Sequence, residues 1–488
     1  MSGEEDELRF QEESLRDRER DGDPAEWDQF FLKQDLDVHL ITDFIDTWKL
    51  ALDHQTDAHW SFKEMTALFL ISLFGHWKWT FLDFSRMMDD DTGEGLSGLF
   101  FLNLWVMILG KSRIARKTTV FRKVIRIVRA IGRKFDVMGD NDEIQQVELM
   151  LEHEFNPASF VQSMNQREAD GFSYATWIDD EVSRFYEQMA TATYMAGIAP
   201  ALSKIYDPLD GYSRFTIARG RESIDRSYFT VLTASTLTLP QLFSEREIMQ
   251  GFLNRFMFVL DDPKDRKDRI DPENASLNII ETYGKIRDWL NALQKCNPTS
   301  LYILPNSPQA KYVRDYEKKV WNIIRDDEVS ELYQGYMGNM PDFLIKIASL
   351  YRMSRIPHHD LVNTYQKDVS SGIAIEMQDL ERAMVLVELL YENFVKVVRI
   401  SRKKTRLGTT YIQDSDAIVV YEAIEQTSDE KLKGFATRTK VLNKTGINAK
   451  QLDKIANDLV ERECIRIEWN KPKRGRPTQL YKAVNPPI

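Results

Sequence analysis

Three short stretches of this chain combine side chains that can handle a phosphate anion and a water molecule. The first ends in Lys117, Thr118 and Thr119. It opens with six apolar residues, Leu104 to Leu109, breaks at Gly110, and runs through Ser112 and Arg116 into a helical pattern. Strand, loop and helix in that order suit a nucleotide phosphate. Backbone N–H groups at a helix N-terminus point at the anion, a Lys reaches the β- and γ-phosphates, and a hydroxyl holds Mg2+. The standard pattern is G-x-x-x-x-G-K-[ST]. Here Arg116 stands at the second Gly, Lys111 at the first, and Gly110 comes one residue early. Taken alone, the loop reads equally well as a basic connection between a strand and a helix.

The second stretch, Ser173 to Glu181, is an apolar run ending in adjacent carboxylates. At a strand end, Asp180 would hold the Mg2+ shell, and Glu181 would orient and deprotonate an attacking water. The same acids also suit a helix N-terminus. Their place about sixty residues after the basic loop, in an alternating α/β run, favours the first reading. The third stretch, Tyr228 to Thr236, is a β-branched run whose end carries Ser235 and Thr236. A polar group there can sense a γ-phosphate, and a Thr-rich strand with a hydroxylated end is the plain alternative. Gly251 to Phe256, G-F-L-N-R-F, leads into a further strand, Met257 to Leu260. Arg255 could reach a phosphate held by a neighbouring subunit, or pair within its own domain.

Those side chains need a framework, and the rest of the chain supplies it. With 488 residues, 43% hydrophobic and 29% charged, the chain is too long for one core and predicts two or three domains. A net charge of −11 argues against a uniformly basic nucleic-acid binder but leaves room for a local basic patch. Residues 1–26 hold eleven acidic and four basic residues and read as a disordered acidic tail. Residues 27–95 read as an N-terminal helical region. Trp60, Phe62, Phe69, Phe74 and Trp77 lie in its core, helices extend to about Phe84, and Asp89 to Gly95 forms a loop. The apolar runs Met65 to Phe81 and Leu96 to Leu109 are interrupted or too short to span a bilayer, so buried elements are expected. Cys296 and Cys464 lack metal-ligand spacing, and the acidic N-terminus is neither a signal nor a transit peptide. A cytoplasmic protein is expected.

Val120 to Lys134 predicts a helix with a basic face, and Phe155 to Gln166 a helix entered through Asn156 and Pro157. Asp261 to Asn274 is a charged, Pro-punctuated loop. Residues 275–402 return to helical spacing, a lid domain from which Lys346, Arg352 or Arg355 could approach a nucleotide. Residues 414–488 then predict three helices, Ser415 to Gln426, Lys433 to Thr445 and Ala449 to Glu463. Two strands follow, Ile465 to Trp469 and Gln479 to Ala483. That order is a winged helix-turn-helix. Its wing carries Lys471, Lys473, Arg474 and Arg476, which suits DNA phosphates, while Lys450 and Lys454 could face a major groove. Protein contact is the other use of such a domain.

Taken in order, these motifs resemble the prokaryotic helicase-like P-loop ATPases found in mobile elements and beside primases. In that family the phosphate loop reads as a strand, a small residue, a Ser, and then Arg-Lys-Ser/Thr. Here that is Leu104 to Leu109, Gly110, Ser112, Arg116, Lys117 and Thr118. Asn103 to Trp105, Asp180 with Glu181, the strand ending at Thr236, G-F-L-N-R-F with Arg255, and Lys346 to Leu350 extend the likeness over residues 45–400. The Arg-Phe pair before a strand is also similar to the arginine finger of minichromosome maintenance helicases, which implies a homo-oligomer, a ring by analogy.

The expected fold is an α/β P-loop NTPase core of the RecA or AAA+ type over residues 96–262. The N-terminal helical region, the helical lid and the C-terminal winged helix complete it. The resemblance implies ATP and Mg2+ as ligands and duplex DNA as partner, with no membrane. The function expected is an ATP-hydrolysing, helicase-like DNA motor or remodeller in replication, recombination or mobile-element maintenance. The alternatives are a nucleotide-switched initiator, loader or regulator, and a DNA binder whose loop no longer holds nucleotide.

Overall fold

A computed structural model describes residues 43–83, 98–111, 115–132, 134–138, 144–151, 154–169, 171–195, 197–216, 220–243, 248, 251–261, 279–325, 331–364, 372–405, 414–428, 434–445, 449–461, 465–470 and 478–484. The acidic tail, Ser112, the Asp89 to Gly95 loop, nearly all of the charged loop after Asp261 and the basic wing lie outside them.

Helix α1, Phe44–Asp53, begins where the Asp43 carboxylate accepts the N–H of Ile45 at 2.8 Å. Helix α2, Trp60–Gly75, carries apolar residues around its whole circumference and is buried from Ser61 to Gly75. A helix of that composition has no solvent face and must be packed from every side. It ends at His76, where a backbone φ of 38° stops the helical path. The helix expected to run on to Phe84 gives way to a strand, Trp79–Leu82. Burial alternates along it, Trp79 and Phe81 in, Thr80 and Leu82 half-buried, the period of a strand. Its parallel partner is Thr299–Tyr302, from the segment read as wholly helical, and its antiparallel partner is Leu99–Phe101.

The main sheet comprises β1, Trp105–Leu109; β2, Glu168–Ala169; β3, Phe172–Asp179; β4, Ser227–Ser235; and β5, Met257–Leu260. Its order is β5-β1-β4-β3-β2, and only the short β2 is antiparallel to its neighbour. Every residue of β1, β3 and β4 is buried, as a parallel sheet covered on both faces requires. The chain is therefore a mixed α/β protein with a parallel sheet. Leu109 pairs with both Ser235 and Leu260, and Asp179 with Thr233. The carboxyl ends of the four parallel strands thus share one edge.

Helix α3, Lys117–Gly132, follows β1, and α4, Pro157–Asn165, starts in a reciprocal cap between Asn156 and Ser159. Helix α5, Ser183–Thr191, follows β3, and α6, Glu331–Ser354, and α7, Met377–Thr405, come later. One continuous apolar core runs from Phe44 to Val398. The N-terminal helices, the sheet and the helices expected to form a lid therefore share one interior. Lys346 on α6 is buried in it. Its ammonium donates to the Asn103 carbonyl at 3.2 Å and side-chain oxygen at 3.0 Å, and burial pushes its pKa down to about 8. Arg352 is engaged with the Ala374 carbonyl and Glu376, and Arg355 with Asp379 at 2.7 Å. The expected approach of these three residues to a nucleotide is not met, because each already has structural partners.

Residues Arg399–Ile488 form a second unit. Helices Asp414–Thr427, Arg438–Thr445 and Ala449–Glu461 precede the antiparallel strands Ile465–Asn470 and Thr478–Ala483. Val420, Ile424, Val441, Leu452, Ile455, Leu459, Ile465 and Tyr481 fill its own core. Where the spacing predicted helix from Lys433, Ala436–Thr437 is instead a third, short strand paired with Thr478–Ala483, and the helix starts at Arg438. Arg438 bridges to Asp453 at 2.6 Å, tying the second helix to the third.

His76 yields a test of this packing. Its ring lies against Trp77 and Tyr174, and burial, with Lys78 nearby, pushes its pKa down to about 3. The folded state refuses a proton that the unfolded chain accepts below about pH 6.5, so stability falls as pH drops from there toward about 3. In His76→Asn, which removes the titrating ring, roughly 2 kcal/mol of the loss between pH 7 and pH 5 should disappear in chemical denaturation. An unchanged pH dependence would show that the ring is not buried neutral.

Candidate functional site

The loop after β1 folds back on itself within a few residues. The Ala115 N–H donates to the Lys111 carbonyl at 3.0 Å, and the Gly110 N–H to the Ser235 carbonyl at 3.2 Å. A Cβ at Gly110 would come within 2.5 Å of the Ala115 Cβ, so the small residue is required there by close approach. At Arg116 the backbone is left-handed, φ 53°. The standard pattern has Gly at that place; here Arg carries the left-handed backbone, at a steric cost of about 1 kcal/mol. The Arg116 side chain reaches outward to Asp57, 3.3 Å away on the turn before α2.

Helix α3 then starts with Lys117, and Thr118 and Thr119 are half-buried in its first turn. No acid sits in that turn, so the helix's own first turn brings no side chain to neutralise its positive dipole end. Lys117 is 6% exposed, and its ammonium is buried without a hydrogen-bond partner among the described residues. Burial lowers its pKa, and the nearby Glu181 and Asp180 charges oppose that shift. A desolvated, unpaired ammonium is costly unless something anionic joins it.

The carboxylates come from the end of β3. The strand stops at Asp179, one residue before the expected Asp180. The buried Asp179 side chain accepts the Glu181 N–H at 3.0 Å and so closes the turn. Asp180 is half-buried in that turn, and Glu181 is exposed. The Val182 N–H donates to the Ala234 carbonyl at 3.0 Å, pinning the turn to β4. Glu181 Oε1 accepts from Ser235 at 3.0 Å and from Ser183 at 2.8 Å. Ser235 is thus bonded directly to the candidate base. Thr236 lies past the strand, and its hydroxyl contacts Thr238 at 2.6 Å.

The structure brings together Gly110, Arg116, Lys117, Thr118, Thr119, Asp180, Glu181 and Ser235 at one sheet edge. In open α/β sheets that edge is where ligands sit. Arg255 lies elsewhere, just before β5 and so at the amino edge of the sheet. It donates to the Gly251 carbonyl, stacks over Tyr206 at 5.6 Å, and has its pKa lowered by burial. It contributes nothing to the site of its own chain. Asn254 beside it is pressed against Gly335 of α6, and Phe252 and Phe256 against Trp105, so G-F-L-N-R-F works as a packing strut. Lys450 and Lys454 lie on helix Ala449–Glu461 with side chains outside the described residues, as are Lys471, Lys473, Arg474 and Arg476.

The sequence reading missed Asp179, Ser183 and Asp57. The D-D-E triplet and the E-V-S that continues it mark the first two, but which acid ends the strand depends on tertiary contacts. Among the described residues no group of three or more His, Cys, Asp or Glu forms a metal cage. Mg2+ is compatible with this, since it is commonly held by one carboxylate and by substrate phosphates and water. Thr118 and Asp180 are the residues from which the sequence expects the metal's protein oxygens.

Lys117→Met should stabilise the nucleotide-free protein by about 1 kcal/mol, seen as a higher denaturation midpoint, because it removes an unpaired buried charge. A lowered midpoint would mean that the ammonium is satisfied. Comparison of the chain with protein-family models gives no match, and comparison with curated proteins gives none either.

Proposed function

We propose that the chain is a P-loop ATPase that couples Mg2+-dependent ATP hydrolysis to work on DNA, as a helicase-like motor or remodeller. The observation that carries this reading is the buried, unpartnered Lys117 ammonium at the start of α3, facing Asp180 and Glu181 across one intervening strand. Two strand spacings amount to about 10 Å, room for the outer phosphates of a nucleotide and an attacking water between the ammonium and the acid. In this reading Lys117 and the α3 N-terminus bind the β- and γ-phosphates. Thr118 and Asp180 hold the metal, and Glu181 takes a proton from the water while Ser235 bonds to it.

The order β5-β1-β4-β3, with the polar end of β4 between the base-bearing and phosphate-bearing strands, supports the P-loop assignment. Three helices and an antiparallel ribbon in the second unit support a winged helix, and Lys471, Lys473, Arg474 and Arg476 in the connecting segment supply charge for duplex phosphates. Arg255 enters the reading only through an oligomer, acting on a neighbour's nucleotide from the amino edge of its own sheet.

The test is steady-state ATP hydrolysis with and without single-stranded and duplex DNA. DNA-stimulated turnover that vanishes in Lys117→Ala and Glu181→Gln is the expected result. Turnover by Lys117→Ala at the parent rate would sink the assignment, and tight ATP binding with DNA-indifferent turnover would mark a nucleotide switch instead. Replacing Lys473, Arg474 and Arg476 by Ala should weaken DNA binding at every sequence and reduce the slope of log affinity against log salt by about one per lost phosphate contact. An unaltered slope would remove this segment from the DNA interface.

A further inference from the structure

The turn after β3 holds one side chain whose bonds the fold itself does not use. Ser183 opens α5, but the residue at the cap position is Val182, and no side chain bonds the first free N–H groups of the helix. A Ser at a helix start commonly spends its hydroxyl on those groups. Here the hydroxyl turns away from the helix, donating to Glu181 Oε1 at 2.8 Å and lying in hydrogen-bond contact with Ser235 Oγ. Ser235 Oγ is itself 3.0 Å from the same carboxylate oxygen.

Each hydroxyl carries one proton. Both protons can go to Oε1, at 2.8 and 3.0 Å, or one can pass between the serines, so the three groups form a coupled cluster around Oε1. Oε1 is held, while Oε2 takes no bond from any described residue, on a side chain that is exposed. The backbone of the turn is fixed separately, by the Glu181 N–H to Asp179 and the Val182 N–H to Ala234. The backbone of the turn therefore does not depend on the Ser183 hydroxyl.

We infer that Ser183 is a positioning residue for hydrolysis: with Ser235 it anchors Oε1, so that Oε2 faces the water attacking the terminal phosphate. This rests on the ATPase reading of the site. In that step the water oxygen bonds to the γ-phosphorus as the bond to the bridging oxygen breaks. The water proton passes to Oε2, and the bridging oxygen leaves with ADP.

The experiment measures kcat and KM for ATP, with Mg2+, on the full chain. It compares the parent, Ser183→Ala, Ser183→Cys, Ser183→Thr, Glu181→Gln and the Ser183→Ala/Glu181→Gln pair. Ser183→Ala should lower kcat about tenfold with KM unchanged, the effect of losing one hydrogen bond to a charged group. Ser183→Cys keeps the volume, weakens the donor and should do the same, which separates the effect from a folding defect. Ser183→Thr should restore turnover, and Ser183→Ala should add nothing once Glu181 is Gln. Parental kcat in Ser183→Ala, or an undiminished further loss in the Glu181→Gln background, overturns the role. A parent protein that neither binds nor hydrolyses ATP overturns the reading of the site itself, and the role falls with it.

Discussion

The insertion of β4 between β1 and β3 in parallel register is the constraint on which the candidate site depends. Parallel pairing puts the ends of all three strands at the same edge. It delivers the basic loop, the acidic turn and the Ser235 hydroxyl from segments far apart in sequence to one crevice. The inserted strand also sets the gap. Without it the acids would stand on the strand next to β1, one spacing of about 5 Å away. With it, Lys117 feels their charge but has no hydrogen bond to either.

Three buried charges illustrate how differently the fold treats such groups. Glu64, on the fully buried α2, is bonded by Lys49, Arg382 and Tyr351. Lys346 has the two oxygens of Asn103 and the face of Tyr206, 4.4 Å away. Both join elements distant in sequence, Glu64 fastening α1, α2, α6 and α7 together and Lys346 fastening α6 to the residues before β1. Desolvating a charge is tolerable when such partners replace water. Lys117 is 6% exposed and, among the described residues, has no such partner.

Much of the site was legible in the residues. Strands buried on both faces draw mainly on apolar and β-branched residues, so the runs Leu104 to Leu109 and Tyr228 to Thr236 announced themselves. So did Asn156 and Pro157, because capping is a local bond between neighbours. Trp79 to Leu82 and Thr299 to Tyr302 were not legible as strands. Each is four residues long, and what makes them strands is a partner more than two hundred residues away. Lys346, Arg352 and Arg355 were misjudged for a related reason, since a cation on a helix looks the same in sequence whether it meets a phosphate or a carboxylate of its own chain.

The sequence by itself determined the chemical inventory: a loop ending in Lys-Thr-Thr, a strand ending in three acids, a strand ending in hydroxyls, and a separate C-terminal unit with its own helical spacing. Periodicity and capping are set within a few residues, and that is the range over which a sequence speaks plainly. Only the tertiary structure decided which members of that inventory meet. It set Asp179 to close the turn and left Oε2 of Glu181 unbonded by any described residue. It gave the Ser183 hydroxyl to the Glu181 carboxylate, and it put Arg255 at the opposite edge of the sheet. The physical reason is that strand order and register are fixed by packing between segments far apart in the chain, and a shift of one residue in register exchanges every inward side chain for an outward one.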